Sequence, residues 1–151
     1  MVVRFSRARK RYERQGMLVE EGALADAERR CLADEEARAR RRERDAERRA
    51  REDVDLRTRF AAEIARLFPA CPADRAEAIA RHAALRGSGR IGRSAAGRAL
   101  EAEAVELAVI ASIRHLDTDY DELLMSGADR ADARERVSKA VADVLARWRS
   151  G

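Results

Sequence analysis

The chain has 151 residues, 40% of them charged and 46% apolar, with a formal net charge of +4. Much of the apolar share is alanine and only six residues are aromatic, so the core is expected to be small and to belong to one domain. No apolar run approaches the roughly 20 residues that span a bilayer and no signal-peptide stretch opens the chain, which predicts a cytoplasmic protein with no membrane contact.

Val3 to Gln15 reads as a short basic helix stopped by Gly16, followed by a turn through Met17, Leu18 and Val19. This segment occupies 1–21. From about Gly22 to Phe68 the chain is continuous helix former without proline or a further glycine. Between Leu32 and Val54 no apolar side chain exceeds alanine, so about 30 Å of helix has no stripe to bury. Residues 22–56 are therefore expected as a charged arm, either solvated or in a coiled coil, supported by i,i+4 pairs such as Glu36 with Arg40 and Glu47 with Arg51. Arg40, Arg41, Arg44, Arg48 and Arg51 fall within a sector of about 100° that holds no acid, a basic stripe for solvent or for a nucleic acid.

Large apolar residues return in 57–151, read as a compact all-α domain of about four helices. Phe60, Ile64, Leu67 and Phe68 recur at helical spacing, and Pro69 and Pro72 then enforce a turn. Asp74–Leu85 and Leu100–His115 read as the next helices, the second burying Val105, Val109 and Ile113. A short helix starts at Thr118 as N-cap with Asp121 at the capping-box position. The last, about Asp129–Arg149, carries Val137, Val141, Leu145 and Trp148 on one stripe.

Between the second and third of these helices lies RHAALRGSGRIGRSAAGR, Arg81 to Arg98, with five arginines and four glycines. No acid occurs between Ala78 and Leu100. Glycine leaves backbone amides open to an anion while arginine supplies charge, so Arg86, Gly87, Ser88, Gly89, Arg90, Gly92, Arg93 and Ser94 form a candidate phosphate-binding loop. It is neither a Walker A loop nor a dinucleotide fingerprint, since no GK[ST] follows and no strand precedes it. The competing reading is a structural turn whose Ile91 enters the core and whose Ser94 caps a following turn.

Residues 1–59 and 60–99 each carry +4, and 100–151 carry −4. The basic surplus thus permits a polyanionic partner on the N-terminal two thirds. Only Lys10 and Lys139 among 32 basic residues are lysine, which reflects either guanidinium recognition or coding bias. Cys31 and Cys71 have no CxxC neighbour and predict neither disulfide framework nor zinc ribbon. Asp117, Asp119 and Asp121 alternate like a calcium loop, but Glu122 and Ala128 stand where glycine and glutamate are required, so they read as helix-capping carboxylates and no metal or cofactor is expected. His82 and His115 are candidate acid–base groups for phosphodiester cleavage should they converge with Arg90 or Arg93, with local packing as the alternative.

FPACPADRAEAIARHAALRGSGRIGRSAAGRAL and AVELAVIASIRHLDTDYDELLMSGADRADARERV together resemble the family catalogued as domain of unknown function 2293, over about Phe60 to Trp148. The resemblance implies a helical domain centred on GSGRIGR and RHLDTDYDELL, and it implies no activity. Relatives also imply a histidine three positions before His115, where this chain has Ser112, so no H-x-x-H pair arises. Longer relatives imply a cysteine-rich, metal-binding portion upstream of VVRFSRARKRYERQG; its absence here is expected to mean a short variant or a downstream start. The function expected is non-enzymatic binding of RNA or DNA phosphates by the loop; the alternatives are a scaffold whose long helix takes a protein partner and a phosphodiester-directed hydrolase using His82 and His115.

Overall fold

The amino-terminal segment is a β-hairpin where a short basic helix was expected. In the computed structural model, which describes residues 1–150, β1 (Val2–Ser6) pairs antiparallel with β2 (Arg11–Gly16). Val3 and Phe5 alternate with polar residues, which matches the period of two of a strand and defeats the helical period. Phe5 stands opposite Tyr12 with ring centroids 5.2 Å apart, and Lys10 takes a left-handed φ of 50° as the turn closes.

Two units make up the chain, Met1–Glu47 and Arg48–Gly151. The first holds the hairpin, α1 (Glu21–Ala33) and the start of α2 (Glu35–Leu67). The single helix expected from Gly22 to Phe68 is thus interrupted at Asp34 (φ −88°, ψ −5°), although Arg38 N–H still donates to the Asp34 carbonyl at 2.9 Å. No residue of α1 is buried. Along α2 the Glu36–Arg40 pair forms at 3.5 Å; Arg48 pairs with Glu52 at 3.6 Å, while Glu47 and Arg51 do not pair.

The second unit carries the core. Phe60 and Ile64 of α2 pack with Ala76, Ile79 and Ala80 of α3 (Ala73–Ala83) and with Val105, Val109 and Ile113 of α5 (Ala102–Leu116), and Leu56 of α2 is buried as well. Tyr120 of α6 (Tyr120–Met125) and Val137, Val141 and Leu145 of α7 (Arg130–Arg149) complete it, with Trp148 partly buried at its margin. These are the stripes that the helical period picks out. No polar or charged residue is buried among them, as the cost of burying an unpaired polar group requires. Asp129 caps α7 by accepting from Ala131 N–H at 2.7 Å. Thr118 does not close a capping box: its Oγ1 accepts from Tyr120 N–H at 3.3 Å, and Asp121 turns instead to His115.

Seven helices form among the described residues, and five of them lie wholly within 57–151, where about four were expected. One of them lies inside the Gly/Arg segment, where a 3₁₀ turn (Ile91–Arg93) leads into α4 (Ala95–Ala99). Close backbone approach makes this possible, because a Cβ on Gly97 would stand 2.1 Å from the Ile91 carbonyl oxygen. Gly97→Ala is expected to cost about 1–3 kcal/mol of stability by overpacking, whereas Gly22→Ala, with nothing within 4 Å, should leave stability unchanged or slightly raised; urea unfolding of both variants checks this.

Candidate phosphate-binding loop

The loop between α3 and α4 uses its glycines in two ways. Gly87 and Gly89 adopt φ of 73° and 69° in open space, a conformation that penalises any side chain. Their amide N–H groups donate to no acceptor among the described residues. Gly92 instead is buried, and a Cβ there would meet the Ala83 carbonyl at 2.7 Å. It therefore seats the 3₁₀ turn on α3. Ile91 packs against the core as the structural reading anticipates.

The serines are locally engaged. Ser88 Oγ donates to the Leu85 carbonyl at 2.6 Å and accepts from Arg90 N–H at 3.3 Å. Ser94 is the N-cap of α4, accepting from Gly97 N–H at 3.0 Å and donating to the Ile91 carbonyl at 2.7 Å.

The three central arginines divide. Arg86 donates from Nε (3.1 Å) and Nη2 (2.7 Å) to the two oxygens of Asp53 on α2, a bidentate fork, and approaches Glu52 at 3.8 Å. Arg93 donates from Nη2 to the same Asp53 carboxylate and from Nε to the Ala84 carbonyl at 2.6 Å, capping the end of α3. Its side chain is only 16% exposed, against 46% for Arg86. The hydrogen bond from Arg86, opposed by partial burial and reinforced by Arg93, holds Asp53 below the usual carboxylate range, and the same bond raises the Arg86 pKa. Arg90 is different. Its Nε donates to His82 Nε2 at 2.9 Å, and its terminal nitrogens contact no group among the described residues.

That bond makes His82 an acceptor at Nε2, so its proton sits on Nδ1. Desolvation, with the charges of Arg90 and His115, lowers its pKa and favours the neutral imidazole. His115 hydrogen-bonds through Nδ1 to Asp121 Oδ1 at 2.7 Å and stands edge-on to Tyr120, centroids 5.3 Å apart. The two imidazoles share no hydrogen bond. Of the other alternating aspartates, Asp117 pairs with Arg75, which also donates to the Ser112 carbonyl at 3.2 Å, and Asp119 stands at the N-cap of α6 without a side-chain cap bond. Among the described residues no three His, Cys, Asp or Glu side chains gather as a metal site. Of the arm stripe, Arg40 and Arg48 are ion-paired, while Arg41, Arg44 and Arg51 make no ion pair among the described residues.

Sequence reasoning did not find Asp53, which organises the loop from 33 and 40 positions away. Nothing local to Asp53 marks it, since acids are frequent along α2.

Residues 63–149 match the family described as Uncharacterized conserved protein (DUF2293), and the chain belongs to that family. No curated protein and no solved structure matches the chain. No helix among the described residues is long and apolar enough to cross a membrane.

Replacing Asp53 by Asn strands two guanidinium groups, and charge-assisted hydrogen bonds of this kind contribute about 1.5–3 kcal/mol. Thermal unfolding at neutral pH should fall by roughly 5–10 °C. Because the folded-state pKa of Asp53 is lowered, its stabilisation is complete above the unfolded value of about 4 and is lost as pH falls through the folded value. The gap between wild type and Asp53→Asn is therefore expected to be flat from about pH 5 to 8 and to close in acid, as unfolding at several pH values will show.

Proposed function

We propose that this member of the DUF2293 family binds nucleic-acid phosphates at the loop after α3, by charge and backbone amides and without covalent chemistry. The observation that carries the proposal is the pairing of two open amides, Gly87 and Gly89, with an arginine whose terminal nitrogens are unpartnered, Arg90. A phosphate oxygen satisfies both kinds of donor. Arg86 and Arg93 contribute differently from a freely mobile basic patch: one carboxylate of Asp53 serves both, so they add positive potential while fixing the loop. With no acid between Ala78 and Leu100, that potential is uncompensated from within the segment. RNA and DNA backbones both present phosphate oxygens that satisfy these donors.

A hydrolytic reading fits less well. An imidazole that accepts a hydrogen bond from arginine and is held neutral is a poor proton donor, and the second imidazole is engaged with Asp121 rather than with the first. The reading of the long helix as a scaffold has one observation in its favour: α1 buries none of its residues although it carries Leu24 and Leu32. A protein partner covering those two leucines is the second proposal.

Arg90→Ala should weaken binding to single- and double-stranded nucleic acid alike and reduce the slope of log affinity against log salt by about one, measured by fluorescence anisotropy. Unchanged affinity and slope would remove the loop reading. Protonation of His82 adds a charge beside Arg90, and its lowered pKa places that gain below the usual imidazole value of about 6.5; binding should tighten in that range for wild type and not for His82→Asn.

A further inference from the structure

The hairpin presents a face that the loop reading does not use. In its register Val3 stands opposite Arg14 and Phe5 opposite Tyr12, so these four share one side of the two-stranded sheet. Arg4, Ser6, Arg11 and Glu13 share the other. Phe5 and Tyr12 are 47% and 73% exposed, although aromatic rings of this size are normally covered. Residues 1–19 carry six basic side chains and one acid. That acid, Glu13, lies on the far face and is occupied by Arg9 at 3.0 Å and Arg11 at 3.7 Å. The aromatic face therefore joins two exposed rings to uncompensated positive charge.

We infer that this hairpin is a binding surface for single-stranded nucleic acid, with a base stacked on Tyr12 or Phe5 and the adjoining phosphates held by Arg14 and the turn cations Arg7 and Lys10. A π face accepts any unpaired base, whereas in a duplex the base faces are hidden, so the surface selects single strands without selecting sequence. The charge composition favours this occupant over an anionic membrane. Five of the six cations are arginine, the residue that forks phosphate and stacks on bases, and the apolar area of the face is confined to Val3 and the two rings. This inference goes beyond the loop reading and stands on residues of the other unit.

The test uses the full chain and anisotropy with fluorescein-labelled oligouridylate, its duplex with oligoadenylate, and vesicles containing phosphatidylserine as competitor. Tyr12→Leu keeps an apolar partner for Phe5, and so the hairpin, but removes the π face; Tyr12→Phe keeps both. We expect Tyr12→Leu to lose about 10-fold or more in affinity for oligouridylate, Tyr12→Phe to match wild type, and duplex affinity to change little in either. Equal affinity of Tyr12→Leu and wild type for oligouridylate, an equal loss for single strand and duplex, or displacement by vesicles that is indifferent to the ring would each overturn the inference. Arg90→Ala lowers single-strand and duplex binding together if the loop reading holds, so a failure at the loop and a failure at the hairpin are read on separate variants.

Discussion

A single carboxylate between two guanidinium groups decides how the Gly/Arg segment can act. Ion pairs between exposed side chains contribute little, because water screens them and long side chains lose entropy when held. Asp53 escapes much of that loss. Its side chain is only 22% exposed, Arg86 engages both of its oxygens, and Arg93 is additionally fixed to the Ala84 carbonyl. The loop is thereby fastened to α2 at one edge and to the end of α3 at the other. Gly92 and Gly97 can lie directly on neighbouring backbone because those fastenings hold the chain there.

From this constraint follows a division of labour among chemically identical residues. Arg86 and Arg93 are committed within the fold, and the Arg90 guanidinium has a neutral imidazole as its only partner among the described residues. A neutral acceptor directs a guanidinium without cancelling its charge, which a carboxylate in the same place would do. His82 therefore orients a cation and preserves its field. The glycines divide in the same way, two giving close packing and two giving open amides at positive φ.

The helices and core were legible because their signal is local and periodic. Phe60, Ile64, Val105, Val109, Ile113, Val137 and Val141 recur at helical spacing, and all are buried. The hairpin was not legible for a specific reason: its turn is Arg7 to Lys10, with none of the Gly, Asn or Pro that usually marks one, and arginine, alanine and lysine favour helix. The alternation of Val3 with Phe5 was the available signal, and it was too short to outweigh composition. Within the loop, the sequence singled out the segment by its glycines and arginines but not the roles of its residues. Those roles are set by Asp53 on another helix and by how closely Ala83 and Ile91 approach, neither of which has a local signature.

Charge also orients whatever approaches the second unit. The basic surplus of that unit lies in its first half, while residues 100–151 carry −4. Two of the basic side chains around α5 are already spent on acids, Arg149 on Glu106 at 2.6 Å and Arg75 on Asp117, so they do not offset the remaining carboxylates. On the proposed function a polyanion is attracted at the loop and repelled along 101–129, which hold eight acids and one arginine, whereas α7 carries six basic residues against three acids. Such an asymmetry fixes the docking side before any short-range contact forms, and it does so with affinity that falls as salt screens both the attraction and the repulsion. On that proposal the acidic stretch 101–129 takes part in recognition, because it disfavours orientations that bring a phosphate chain over α5 and α6 in place of the open amides of Gly87 and Gly89.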